Sequence, residues 1–161
     1  MSGAEYVFLT RWSINAPQQA VWDVIAQVER WVAWWQGLER VEPLAPGDAR
    51  RVGRCCRLTW KGRLPYRLIV DMTTVRIEAP RLLESAANGE LEGRGIWRLS
   101  SHDDGTAVTY EWRVRTTKPW MNLIAPLARP IFAWNHDVVM RQGQRGLKQL
   151  LEPISQRRRT T

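Results

Sequence analysis

Cysteine and histidine are both scarce in this chain, two of each in 161 residues. The cysteines, Cys55 and Cys56, are neighbours, so there is no disulfide framework. In a strand their side chains would point to opposite faces, where a bridge between them would be strained. Two histidines and two adjacent thiols make no recognisable metal set. No glycine-rich phosphate loop links a strand to a helix, and neither a nucleophile elbow nor a dinucleotide fingerprint occurs. The expectation is therefore no metal and no redox or nucleotide cofactor. Long apolar runs are missing as well. Nothing approaches the roughly 20 apolar residues of a membrane span, and residues 1–10 lack the basic segment of a signal peptide. A cytoplasmic location is the default expectation.

What is abundant is tryptophan, ten residues spread through the chain. An indole is a large apolar surface with one N–H donor, so ten of them must fill a core, line a ligand site or sit at a wet interface. A hydrophobic fraction of 44% and a charged fraction of 25% are ordinary globular values. The length suits one domain with a core of its own, residues 1–152, followed by a basic tail, 153–161. The net charge is +8 and the isoelectric point near 10.5, which would ordinarily raise nucleic acid as a partner. Here the arginines are scattered singly along alternating segments, and the one block, Arg157–Arg159, lies in the tail. No nucleic-acid partner is expected; the tail could make weak contact with an anionic membrane.

Periodicity divides the chain into elements. Tyr6, Phe8, Thr10, Trp12 and Ile14 alternate with Val7, Leu9, Arg11 and Ser13, as in a strand with one apolar face. Asn15 with Gln18 reads as a capping box, and Pro17 fits the first helical turn. Val21, Trp22, Val24, Ile25 and Val28 give that helix its stripe, and after a break Trp31, Trp34 and Trp35 continue to Gly37. From residue 38 the period is two, with turns at prolines and glycines, giving strands near 38–44, 52–61, 64–78, 81–88, 91–101 and 106–117. In the long strand the apolar phase switches from Leu68, Val70 and Met72 to Val75 and Ile77, which predicts a β-bulge near Thr73 and Thr74. Pro119 opens a short turn interrupted by Pro126 and Pro130. A long helix then runs to Leu151 with Phe132, His136, Val139, Met140, Gly143, Leu147 and Leu150 on one stripe. Gly143 and Gly146 inside it suggest either a close approach of helix to sheet or a bend.

This order predicts an α+β protein in which a curved antiparallel sheet of seven strands wraps a long C-terminal helix, with two short helices after the first strand. The segments Trp12–Pro17, Val21–Ile25, Trp31–Trp35, Gly89–Gly95, Gly105–Tyr110 and Trp134–Asp137 leading into Gly143 and Gly146–Leu147 resemble the START-like, or SRPBCC, superfamily, and within it the polyketide cyclase/dehydrase-like members. The likeness runs from Tyr6 to Leu151. It implies a helix-grip fold with a deep cavity between sheet and helix that holds a hydrophobic or polycyclic small molecule, lipid-, quinone- or polyketide-like.

Strand residues that can face such a cavity are Trp60, Tyr66, Leu68, Val70, Trp97, Tyr110 and Trp112, with Phe132, His136 and Met140 approaching from the helix. They supply broad apolar walls with a few polar tips; simple space-filling is the competing reading of the same residues. His136, on an otherwise apolar stripe, is a candidate hydrogen-bond partner for a ligand carbonyl or phenol, or a general base, or a structural histidine. His102 beside Asp103 reads as surface. Glu92, Arg94, Glu111 and Arg113 fall on the outer face unless the register slips by one. Loops at Gly47–Arg51, Gly62–Pro65 and Pro119–Pro130 are candidate gates. Three functions fit: binding or carriage, catalysis of the cyclase/dehydratase type, and surface interaction with anionic lipid or a protein.

Overall fold

In the computed structural model, which describes residues 5–152, the elements follow in the order β1 (Glu5–Ile14), α1 (Gln18–Ile25), a short 3-10 helix (Val28–Ala33), β2 (Leu38–Ala45), β3 (Cys55–Trp60), β4 (Leu68–Glu78), β5 (Leu82–Gly89), β6 (Leu91–His102), β7 (Gly105–Thr116) and α2 (Pro119–Leu151). The basic tail at 153–161 lies outside the described residues. All seven strands form one antiparallel sheet in the order β1-β7-β6-β5-β4-β3-β2. β2 to β7 form a meander in which each strand pairs with the next, and β1 closes on β7. The connection from β1 to β2 therefore crosses from one edge of the sheet to the other, carrying α1 and the 3-10 helix. This is the helix-grip arrangement expected from the alternating strands and the long terminal helix.

The inner faces of the strands bury two hydrophobic clusters. One gathers Trp12, Ile14, Val21, Trp22, Ile25, Trp35, Trp97 and Leu147, where α1, the 3-10 helix and the end of α2 meet the sheet. The other gathers Tyr6, Val70, Ala87, Leu91 and Val114, with Phe132 of α2 packed on it. Arg54, buried beside the first cluster, donates to Glu29 at 3.1 Å and to the Ala26 carbonyl at 2.7 Å. A buried guanidinium is tolerable only with its donors met in this way. It ties the start of β3 to the α1 end.

Three local expectations are corrected, and the expected bulge is located one residue on. The capping box does not form: Pro17 occupies the N-cap without a side-chain cap. The Gln18 amide instead donates to the Pro80 and Leu99 carbonyls, and the Asn15 N–H donates to Glu152 at 3.0 Å. Long-range partners outcompete the local bond here. β3 and β4 begin at Cys55 and Leu68, later than residues 52 and 64. The bulge falls between Thr74 and Arg76, and Val75 is the extra residue, turned outward, while Ile77 packs inward. Last, the segment from Pro119 to Pro130 is neither a loop nor interrupted, because α2 is continuous over 33 residues. Each interior proline removes an N–H and costs about 3 kcal/mol. Both prolines sit on the exposed side, whereas Met121, Ala125 and Ala128 are buried on the other. Packing of that face holds the helix together.

Gly143 and Gly146 mark a close approach, and the surface approached is the Trp34–Trp35 segment, not the sheet. A Cβ on Gly143 would stand 2.5 Å from the Trp35 ring, and one on Gly146 would overlap the Trp34 carbonyl. Trp35 also donates its indole N–H to the Val139 carbonyl at 2.8 Å. Alanine at 146 gains about 1 kcal/mol of helix propensity but forces the helix off this seat. Gly146→Ala is expected to lower stability by about 1–3 kcal/mol net, the range for overpacking, measured by urea denaturation; a stabilised variant would mean that the contact is not tight.

Candidate ligand-binding cavity

Where the two clusters meet, they do not close on one another. The gap between the concave sheet and α2 is a cavity of about 140 Å³. Its floor is the inner face of β1, β3, β4, β6 and β7, and α2 forms its roof through Met121, Phe132, His136 and Met140. The size resembles the roughly 150 Å³ apolar cavity that admits benzene, so the space free of side chains suits one ring. Trp60, Trp112 and Phe132, which border it, are half-buried.

The aromatic walls are ordered by their contacts. Tyr110 stacks on Trp97 at 4.2 Å and on Trp112 at 5.9 Å. Gly95 makes room beneath this stack, since a Cβ there would collide with the Tyr110 ring end. Trp60 meets Trp35 edge to face at 5.0 Å. At the far end the His136 imidazole lies flat on Phe8, with centroids 4.3 Å apart and planes 15° from parallel, and Phe132 sets its edge against Tyr6 at 5.8 Å.

Polar groups in this apolar space are few. The Tyr6 hydroxyl and both ring nitrogens of His136 are buried and make no hydrogen bond among the described residues. Buried polar atoms are ordinarily satisfied, so these line a place where a polar ligand atom would be stabilised. Asn135 and Thr116 also border the cavity. Asn135 accepts the Arg63 N–H at 2.8 Å, which pins the 62–65 loop to α2, and the Thr116 hydroxyl donates to Asn122. No three His, Cys, Asp or Glu side chains group as a metal site among the described residues.

All ten residues proposed from the sequence as ligand contacts, Trp60, Tyr66, Leu68, Val70, Trp97, Tyr110, Trp112, Phe132, His136 and Met140, border this one cavity. The sequence reading missed Tyr6, Phe8, Trp31 and Trp35, which also border it. Alternation put Tyr6 and Phe8 on the inner face of β1, but it does not say which end of a strand lies beneath α1 and which beneath the cavity. The outer-face residues are where the register requires. Arg94 pairs with Glu84 at 3.1 Å, Arg113 with Glu111 at 2.6 Å and Arg115 with Glu92 at 3.0 Å. His102 is exposed beside Asp103.

Residues 9–152 match the model of the family described as polyketide cyclase / dehydrase and lipid transport, and the chain belongs to that family. No curated protein matches its sequence. Among solved structures, the di-domain ARO/CYC protein BexL from the BE-7585A biosynthetic pathway is similar over 92% of this chain and 50% of its own, with 15% identity and a TM-score of 0.74. The chain thus spans about half the length of that protein. A START superfamily protein from Mycobacterium smegmatis matches over 91% of this chain and 97% of its own, with 10% identity and a TM-score of 0.73. The protein TTHA0849 from Thermus thermophilus matches over 89% and 97%, with 16% identity and a TM-score of 0.67. At these identities the likeness shows a shared fold.

Burial sets the protonation of the cavity groups. It pushes His136 down to about 4, with only a small opposing pull from Asp137. It pushes Tyr66 up to about 12, helped by Tyr6 and Glu90, and raises Tyr110 and Tyr6 as well. His136 is neutral at pH 7, and the three phenols are neutral donors. Because the unfolded chain protonates His136 near 6.5 and the folded chain does so only near 4, the unfolded state binds the extra proton between those values. This contribution to stability is present above about pH 6.5 and is lost as the pH falls toward 4. Going from pH 7 to pH 4.5 is expected to remove about 2 kcal/mol through this residue. His136→Phe, which keeps the stack on Phe8, should show a correspondingly flatter loss in urea unfolding at the two pH values; equal slopes for both proteins would refute the assignment.

Proposed function

We propose that this protein binds a hydrophobic small molecule between the sheet and α2, with a ring seated against the Trp97–Tyr110–Trp112 stack and a hydroxyl or carbonyl directed at His136 and Tyr6. The observation that carries this reading is the set of buried, unpartnered polar atoms inside an otherwise aromatic cavity. A neutral imidazole offers one donor and one acceptor, and a phenol offers either, so this pair fits a phenol, enol or ketone oxygen. The family description and the shared fold support a hydrophobic occupant. A lipid-, quinone- or polyketide-like molecule is the proposed class, its bulk beyond one ring accommodated by movement of Trp60, Trp112 and Phe132. The setting proposed is the cytoplasm, where Cys55 and Cys56, both free thiols, stay reduced.

Binding or carriage fits the protonation pattern better than catalysis does. General acid–base groups work best with pKa values near the operating pH. Here burial moves the histidine down and the tyrosines up, away from neutrality on both sides. A cyclase or dehydratase reaction, the second reading, rests on the family description and on His136 having both nitrogens available. It requires a bound substrate that brings the imidazole closer to neutrality.

Single-ring probes test the polar tips without requiring the cavity to open. Titrated against tryptophan emission, p-cresol is expected to bind about five- to tenfold more tightly than toluene, the margin of one net hydrogen bond. In His136→Phe and Tyr6→Phe that margin should fall to near unity while toluene affinity holds. Equal binding of the two probes by the unaltered protein would remove the role given to His136 and Tyr6. Turnover of a poly-β-keto substrate that is abolished in His136→Phe, with binding kept, would favour the enzyme.

A further inference from the structure

The outward side of α2 carries a second apolar surface that the cavity does not use. Trp120, Leu123, Ile124, Leu127, Ile131 and Trp134 recur at helical spacing and fall within a stripe of ~100° on the helix, opposite the face that roofs the cavity. They are not grazing contacts of a core. Leu123 and Leu127 are 84% and 85% exposed, and the two tryptophans 46% and 49%. Single exposed leucines need no explanation, but a contiguous stripe of six large apolar side chains does.

The charge around the stripe identifies what covers it. Along the same side of the helix the pattern turns basic, with Arg141 and Arg145 continuing the line and Lys148 at its margin. The helix has four basic residues, Arg129 being the other, against one acid, Asp137. Arg63 belongs to the 62–65 loop and donates its backbone N–H to Asn135, the residue after Trp134. Among the described residues none of Arg63, Arg141, Arg145 or Lys148 forms an ion pair with a carboxylate. An apolar stripe with tryptophans at its ends and a cationic extension is the composition of a helix lying in the plane of a membrane interface, where indoles sit at headgroup level and cations meet anionic lipid. No described helix is long and apolar enough to cross a bilayer.

We propose that the outer face of α2 docks on the surface of an anionic lipid bilayer, with Leu123 and Leu127 inserted and Trp120 and Trp134 flanking them. The same helix then faces lipid on one side and the cavity on the other. Its docking site lies directly over Met121 and Phe132 of the cavity roof. The inference does not depend on which molecule fills the cavity.

Co-sedimentation of the full chain with phosphatidylcholine vesicles, with and without phosphatidylglycerol as a minority component, tests it. The expected result is binding to the anionic vesicles that weakens as salt is raised. Leu123→Asp with Leu127→Asp should reduce partitioning by at least about tenfold, and Arg141→Ala with Arg145→Ala should reduce it several-fold on anionic vesicles alone. Both pairs are exposed, so unchanged circular dichroism and thermal unfolding are expected and would exclude misfolding as the cause. Absence of vesicle binding overturns the proposal. So does binding that survives the Leu pair, which would assign it to charge elsewhere on the chain. A dimer in solution that the Leu pair dissociates, with no vesicle binding, would show a second copy of the chain on this face and would overturn it equally.

Discussion

The structure depends on how one end of α2 is seated. At Gly143 and Gly146 the helix backbone presses onto Trp34 and Trp35 with no side chain between, and the Trp35 indole holds the Val139 carbonyl. One full turn or more toward the N-terminus, His136 and Phe132 meet Phe8 and Tyr6 ring against ring, which keeps helix and sheet apart by the thickness of aromatic side chains. The helix is thus seated at one end on the Trp34–Trp35 segment and at the other on the aromatic rings of β1, and the cavity lies beneath it. Filling the glycine seat would lift the helix off Trp34 and Trp35 and so disturb the roof of the cavity.

Much of this was legible in the sequence because strands and helices have different periods. Alternation identified the inner residues of β6 and β7, including Trp97, Tyr110 and Trp112, and outward Glu–Arg sets that the register then paired across strands. Where the sequence misled, a tertiary contact overrode a local rule. Asn15 and Gln18 have the chemistry of a capping box, but Glu152 and the Pro80 and Leu99 carbonyls take their hydrogen bonds. Pro126 and Pro130 read as breaks, and burial of Ala125 and Ala128 carries the helix through them. Trp31 and Trp35 continue the helix stripe in the sequence, and nothing in their spacing reveals that they border a cavity as well as a core.

The high positive charge has two structural destinations. On the outer face of the sheet arginines are largely engaged with carboxylates, as in Arg57 directly across from Asp71 and Arg115 directly across from Glu92. Arg94 and Arg113 face one another as like charges, and Glu84 and Glu111 supply their counterions. Exposed pairs of this kind each contribute about 0–1 kcal/mol, so their main effect is to hold register and to neutralise the convex surface. Among the described residues the cations outside any ion pair are spread over loops, strands and helices, and Arg141, Arg145 and Lys148 are the three that lie in the C-terminal half of α2.

Six of the ten tryptophans, Trp12, Trp31, Trp34, Trp35, Trp60 and Trp97, form a connected set, and this has an optical consequence. Trp34, Trp35, Trp31, Trp97 and Trp12 follow one another at centroid distances of 5.2, 5.3, 6.0 and 5.3 Å, with Tyr110 only 4.2 Å from Trp97. Indoles this close share excitation, so light absorbed by any one of them migrates through the group before emission. The near-ultraviolet spectrum of the folded protein is then a property of the array, with exciton features absent from the sum of separate residues. Any rearrangement around Trp35 or Trp97 is reported by the whole array at once, which makes the native chain its own sensor of events in its interior.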